Sequence, residues 1–267
     1  MTWEEAVSQL ISQEEQKELI QACYYDSPIE NCAERFYNSD EWKETLRYIP
    51  KNITKGTALD IGAGRGIASY ALAKDGWKVT SLEPDTSNLV GAGAIKKLAK
   101  NDLLDISIVM SKGESLPFED DTFDLVYLRQ VLHHADDLQQ LCNEVHRVLK
   151  KGGLFIAVRE HVINKHTDLE KFLNIHPLHN LYGGESAYLL KEYTDAIKTS
   201  GITLTNILAP YSNPINLAPW DMKSIQKKIY IKTKIKWPFP FIKLLLYMMD
   251  RFSSQPGRLY SFIGKKQ

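Results

Sequence analysis

Short apolar runs alternate with stretches of helical spacing through most of this chain. The runs fall near residues 57–61, 78–82, 106–110, 123–128 and 154–159. Apolar on both alternating faces, each reads as a strand buried on both sides, and strands separated by helices predict a parallel sheet covered on both faces. Ile67–Lys74 and Leu138–Leu149 are two of the intervening helices, the second ending in Lys150-Lys151-Gly152-Gly153, a turn into the fifth strand. Another helix over Ala187–Thr199 stops at Gly201. Ile202–Leu208 then reads as a sixth strand and Arg258–Gly264 as a seventh. The expected fold is α/β, a seven-stranded mostly parallel sheet with helices on both faces.

Two regions stand outside this rhythm. Residues 3–22 (Ala6, Leu10, Ile11, Leu19, Ile20), 29–37 and 40–48 have helical spacing ahead of the first strand, so residues 1–52 form an N-terminal helical cap. The sheet domain then takes 53–209 and 257–267, with a substrate-side loop at 161–186 and an insertion at 210–256. That insertion scatters Ile225, Ile229, Ile231 and Ile235 among lysines, followed by Trp237-Pro238-Phe239-Pro240-Phe241 and an apolar helix over Ile242–Met249. A basic, aromatic-bearing amphipathic element suits a lid, a membrane surface or a dimer contact. The lid is the expectation, peripheral membrane contact through 221–250 comes next, and monomer and homodimer both stay open.

Composition adds limits. The 267 residues can bury one substantial core. Net charge is zero, yet residues 221–267 hold eleven Lys/Arg against two acids, so the last part is basic and the rest acidic. Cys23, Cys32 and Cys142 make no C-x-x-C and an odd number, which fits free thiols in a reducing compartment. The first residues are acidic with no apolar segment, and no run is long enough to span a bilayer. A cytoplasmic protein is expected, and no module for nucleic acid is recognisable.

The candidate chemistry begins at Leu59-Asp60-Ile61-Gly62-Ala63-Gly64-Arg65-Gly66, a strand-to-helix switch whose glycines allow a tight turn and let a ligand approach the backbone. Glu83 ends the second strand, where a carboxylate can accept both hydroxyls of a ribose. Together these mark a nucleoside site. The spacing is G-x-G-x-G rather than the G-x-G-x-x-G of a pyrophosphate binder, and Asp60 would repel a pyrophosphate but receive a cationic amino group. S-Adenosylmethionine has the ribose, the ammonium and no phosphate.

This segment resembles the first motif of the class I S-adenosylmethionine-dependent methyltransferases, small-molecule type, and the fold so implied is Rossmann-like. Gly113-Glu114-Ser115-Leu116-Pro117-Phe118, leading into Asp121-Thr122-Phe123-Asp124-Leu125-Val126, is similar to the family's approach to the fourth strand, which flanks the adenine. The resemblance runs in order from about Asp40 to Glu160, fits the last two strands, and omits the insertion. It implies S-adenosyl-L-methionine as cofactor, held by Asp60, Gly62, Ala63, Gly64, Gly66, Glu83, Pro84, Gly113, Glu114, Ser115, Leu116 and Arg129. Many relatives place an Asp two residues before Glu114 for the adenine amine; here Lys112 stands there and cannot accept.

Methyl transfer from a sulfonium is an in-line displacement that needs alignment and desolvation more than acid catalysis; an alcohol acceptor also needs a base. His133 and His134 sit past the fourth strand, and related methyltransferases carry a His-His pair there with an acid after the fifth strand. Glu160 is the nearest acid, one residue beyond the aligned position. The expected catalytic residues are therefore His134, which contacts the acceptor, with His133 and Glu160. His176, His179, Tyr182, Glu185 and Tyr37 are expected to bind the substrate, a small or carrier-linked metabolite, lipid-linked carriers included. His176, His179 and a later Glu have metal-like spacing, but Pro177 and the Gly183-Gly184 pair read as a loop, so no metal is expected. O-methylation leads; N- or C-methylation and a nicotinamide-dependent oxidoreductase are the alternatives. The last is disfavoured by the glycine spacing and the lack of a Tyr-x-x-x-Lys pair.

Overall fold

Successive residues of a strand face opposite ways, so a strand apolar at every position must be covered twice. The computed structural model describes residues 2–50 and 56–267 and shows that arrangement. Four helices come first: α1 (Trp3–Ile11), α2 (Lys17–Ala22), α3 (Ile29–Tyr37) and α4 (Asp40–Tyr48). The alternating part is β1 (Thr57–Ile61), α5 (Ile67–Lys74), β2 (Lys78–Leu82), α6 (Ala92–Asn101), β3 (Ile106–Val109), β4 (Phe123–Arg129), α7 (Leu138–Val148) and β5 (Leu149–Ile163). Then come α8 (Leu169–Ile175), α9 (Pro177–Tyr182), β6 (Tyr188–Leu189), α10 (Leu190–Thr199) and β7 (Ile202–Leu208). Helices α11 (Pro214–Leu217), α12 (Met222–Thr233) and α13 (Phe239–Phe252) precede β8 (Arg258–Lys266).

The strands lie in the order β3-β2-β1-β4-β5-β8-β7, with β6 paired to β5. Among the described residues only β8 runs antiparallel, against both β5 and β7. The seven expected strands are present, and the eighth, β6, has two residues, too short to leave a periodic signal. Strand order reverses between β1 and β4, which opens a crevice at their carboxyl ends where ligands of such sheets bind.

Side-chain parity sorts the core into two layers. Ala58, Leu125, Tyr127, Leu154, Ile156 and Val158 meet α3, α4 and α5 on one face. Leu59, Ile61, Val126, Leu128, Phe155 and Ala157 meet α7 and α10 on the other. Phe36 and Trp42 are fully buried in the first layer, so α3 and α4 cover the sheet directly. The continuous helix suggested over 3–22 is instead split after Ile11 by a 3-10 turn at Glu14–Gln16. The proposed 52/53 boundary lies outside the described residues.

The edge of β5 carries a bulge. Its pairing with β8 slips between Ala157 and Glu160, and Arg159 takes φ +64°. The extra residue reverses the parity of the strand, so Val162 joins the same layer as Phe155 and Ala157. Ser261 Oγ accepts from the Arg159 amide at 3.0 Å, and the Arg159 guanidinium donates to the carbonyls of Ile215 and Ala218, both at 2.8 Å.

The insertion forms a helical pair. Asp250 accepts from the amides of Tyr211 (2.6 Å) and Ser212 (3.1 Å), and Lys243 and Leu246 of α13 share a small cleft with Asp40, Glu44 and Arg47 of α4. Phe241, Leu244, Tyr247 and Phe252 are exposed along α13. No helix among the described residues is long and apolar enough to cross a membrane.

Candidate active site

A cavity of about 640 Å³ opens at the carboxyl ends of β1 and β4. Its first end is built by the glycine loop. Gly62, Gly64 and Gly66 take φ of +62°, +54° and +79°, a region costly for any residue with a Cβ. A Cβ on Gly62 would meet Val131 at 2.7 Å, whereas one on Gly64 would find nothing nearer than the Val90 carbonyl at 3.9 Å. Gly64 therefore leaves open space in the cavity wall. Gly66 does not line the cavity; it turns the chain into α5, with Ile95 packed 3.0 Å from where its Cβ would stand.

Two carboxylates flank this loop. Glu83 accepts from the amides of Gly64 (2.6 Å) and Asp85 (2.9 Å), one on each oxygen, which holds its carboxylate rigidly at the wall. Asp60 is buried, accepts from Ser69 Oγ at 2.6 Å, and lines the same wall. Burial pushes the Asp60 carboxyl up to about 7; the Ser69 hydrogen bond opposes this and the nearby Glu83 charge adds to it. Asp60 is thus a buried acid awaiting a counter-charge.

Pro84, Ala63, Gly113 and Glu114 also line this end. Two expected neighbours do not. Leu116 is buried in the core beside α7, its amide donating to Glu144 at 2.8 Å, and Ser115 is exposed outside the cavity. Arg129 reaches the cavity wall, but its guanidinium is committed to Glu41 through Nε (2.7 Å) and Nη2 (3.1 Å). Tyr37 lies away from the cavity, where its hydroxyl donates to Asp75 at 3.1 Å; the helix register of α3 points it across the first layer to the end of α5.

The other end is polar and rich in histidine. The 3-10 turn Leu132–His134 after β4 is stapled by Glu160, which accepts from the amides of Val131 and His133 (3.1 Å each) and from His133 Nδ1 (2.6 Å). Glu160 is fully buried and does not line the cavity, so it positions His133 rather than touching a ligand, which corrects its expected catalytic place. The bulge at Arg159 explains the one-residue offset: the inserted residue is what turns Glu160 toward the turn. His133 itself is buried, lines the cavity, and sets Nε2 3.6 Å from Glu185 Oε2. Burial opposes its charge, but the carboxylates of Glu160 and Glu185 prevail and hold it at about 9.

His134 is half exposed and its Nδ1 stands 3.0 Å from the Gly184 carbonyl. A carbonyl only accepts, so Nδ1 carries the proton and Nε2 is left as acceptor, 4.0 Å from Glu185 Oε2. Burial and the charge on His133 lower its pKa. Glu185 sits among these rings with a carboxyl held down to about 2, burial being outweighed by His133 and the other neighbouring histidines. Tyr182 and His176 line the cavity as expected, but His179 does not; α9 turns it aside, and its Nδ1 is buried without a partner.

Sequence reasoning missed several wall residues. Trp3, Tyr25 and Tyr182 line the cavity together, Trp3–Tyr25 edge-on with ring centroids 6.0 Å apart and Trp3–Tyr182 tilted at 5.4 Å. This part of the wall comes from α1, the segment after α2, and α9. The insertion expected as a lid contributes no residue of 210–256 to the cavity wall, because α11 and α13 are fastened to β8 and α4. Arg65 and His161 line the cavity too. His161 opens the cluster of histidines, with His166, His176 and His179, that the sequence itself displays.

Residues 59–157 match the family described as a methyltransferase domain. The chain is 31% identical over 124 residues to the uncharacterized methyltransferase YcgJ of Bacillus subtilis, covering 43% of this chain and 45% of that protein. It is 33% identical over 109 residues to the human mitochondrial arginine-hydroxylase NDUFAF5, covering 41% of this chain and 29% of that one. The chain spans about half or less of the length of these curated relatives. In fold it is similar to geranyl diphosphate C-methyltransferase from Streptomyces coelicolor, solved with Mg2+, geranyl diphosphate and S-adenosyl-L-homocysteine. There the TM-score is 0.61 at 14% identity, over 84% of this chain and 77% of that one.

Proposed function

We propose that the chain, whose residues 59–157 match a methyltransferase domain and whose sheet is Rossmann-like, is a class I S-adenosylmethionine-dependent methyltransferase that O-methylates a small or carrier-linked metabolite. One observation carries the reading: the Asp60–Glu83 glycine-loop end and the histidine end belong to a single cavity. Donor and acceptor would then meet without crossing bulk water.

The residues at the first end fit the cofactor. Glu83 keeps lone pairs beyond those used by Gly64 and Asp85, enough for a ribose diol. Asp60 receives the ammonium group, and the open space at Gly64 admits the ligand against the backbone. Asp60, at the turn itself, would repel a pyrophosphate. When bound, S-adenosylmethionine supplies an electrophilic methyl on a sulfonium.

At the second end His134 is the candidate base. Its Nδ1–H is tied to Gly184, so Nε2 faces the cavity ready to take the proton of an acceptor hydroxyl. His133 and Glu185, held by Glu160, fix the polar wall around it. Trp3, Tyr25 and Tyr182 add aromatic surface to the wall between the two ends. Incubating the protein with methyl-labelled S-adenosylmethionine and a metabolite extract tests this. The expected product is a base-stable methyl ether; label in N-methyl or C-methyl groups, or none at all, rejects O-methylation.

A further inference from the structure

The histidine end holds more donor groups than a base needs, and they are arranged by partners of their own. Glu185 turns its two oxygens to different neighbours: Oε2 faces His133 at 3.6 Å, and Oε1 faces His176 Nδ1 at 3.9 Å. His161, beyond the bulge, has its Nδ1 2.9 Å from the Gly257 carbonyl, which can only accept, so Nε2 is the nitrogen left for a ligand. Donor atoms of His161, His176 and Glu185 all lie within 4.8 Å of one another. Phe172 wedges both rings, at centroid distances of 4.7 Å to His161 and 5.2 Å to His176. Gly257, at φ +77°, leaves no room there for a side chain, since a Cβ would stand 2.2 Å from Phe172.

We propose that His161, His176 and Glu185 form a binding site for one divalent first-row transition-metal ion, with its open coordination positions facing the cavity. Two imidazoles and a carboxylate are a donor set for zinc or for iron, cobalt and manganese in the divalent state. Nitrogen donors select against Mg2+, which prefers all-oxygen coordination. Metal-binding histidines characteristically donate their second ring N–H to a carbonyl or carboxylate, and ligating carboxylates are themselves hydrogen-bonded. The His161–Gly257 contact supplies the first of these, and His133, hydrogen-bonded to Glu160, stands as an ion-pair partner 3.6 Å from Glu185. Ligand atoms around a four-coordinate ion stand about 3.3 Å apart for bonds of about 2.0–2.1 Å. Reaching that spacing needs side-chain rotation, and His176 Nδ1 would give up the His179 amide it now accepts from at 3.4 Å or bind through Nε2. An ion there would bind an acceptor oxygen beside His134 and ease its deprotonation; that consequence rests on the proposed O-methylation, whereas the site does not.

The proposal departs from the expectation of no metal, and its ligands differ from the His176–His179 spacing set aside in the sequence. Metal-stripped full-length protein, titrated with Co2+ and followed by visible absorption, should bind one equivalent and develop the bands of low-coordinate cobalt; Zn2+ should displace it and Mg2+ should not. His161→Ala, His176→Ala and Glu185→Gln should each abolish the one-equivalent band, while S-adenosylhomocysteine affinity stays intact as proof of folding. Glu160→Gln should weaken binding by about tenfold through His133. His179→Ala should leave it unchanged. Absence of the band in the wild-type protein, its survival in Glu185→Gln, or equal loss in His179→Ala and His176→Ala would overturn the site. None of these readouts needs methyl transfer, so failure here and failure of the proposed reaction are separable.

Discussion

The two ends of the cavity treat a carboxylate in opposite ways. Asp60 is buried with a serine hydroxyl and another acid for company, and its carboxyl rises to about 7. Glu185 is largely buried among imidazoles, and its carboxyl falls to about 2. At the first site no ion pair to Asp60 forms among the described residues, because Arg129 is committed to Glu41, so a cationic ligand suits it. The second already has its positive charge in His133, and its remaining donors point inward. One end is prepared for a cationic nucleoside, the other for a polar acceptor.

The largest expected effect breaks the second end without touching the first. Glu160→Ala removes the acceptor for two amides and a buried charged imidazole, so stability should fall by about 3–5 kcal/mol in denaturant unfolding. Affinity for S-adenosylhomocysteine, measured on the fraction still folded, should change little. Next, His134→Ala should lower kcat by about a hundredfold with cofactor affinity nearly intact. Equal losses in both quantities would make His134 structural. At the first end, Glu83→Ala should weaken S-adenosylhomocysteine binding by about 1–3 kcal/mol, the cost of losing a charged acceptor.

The smallest effect is a pH dependence. Folding raises the Asp60 pKa from 3.8 to about 7, so the folded state binds the proton more tightly. Its contribution to stability is therefore greatest at acid pH and declines as pH rises from about 4 to 7. A bound ammonium group favours the ionised form, so S-adenosylhomocysteine affinity should rise by up to about tenfold from pH 6 to 8. Asp60→Asn should flatten that part of the profile in calorimetric titrations. A profile identical to wild type would remove Asp60 from the contact.

Much of the first end was legible because it is local. Asp60, the glycines and Glu83 lie at the ends of two adjacent strands, and apolar runs buried on both faces announce such strands unambiguously. The second end is assembled by long-range geometry. Nothing in the run Ala157-Val158-Arg159-Glu160 announces that Arg159 adopts φ +64° and reverses the parity of the residues after it. That single residue decides that Glu160 staples the His133 turn. The aromatic wall was equally illegible. Trp3 and Phe241 are both aromatic residues on amphipathic helices, but only the docking of α1 on α9 puts Trp3 in the cavity wall, while Phe241 stays exposed on α13. Tyr37 failed for a related reason: helical periodicity gives a buried stripe without saying which layer it meets.

The central claim is that the Asp60–Glu83 end holds the phosphate-free adenosine cofactor, and calorimetry on the wild-type protein and Gly64→Val tests it most directly. Gly64 lines the cavity at φ +54°, so a valine is strained there and fills the open space. Wild-type protein should bind one equivalent of S-adenosylhomocysteine and no NAD, and Gly64→Val should bind neither. NAD binding by the wild type, or undiminished S-adenosylhomocysteine binding by Gly64→Val, would contradict the account.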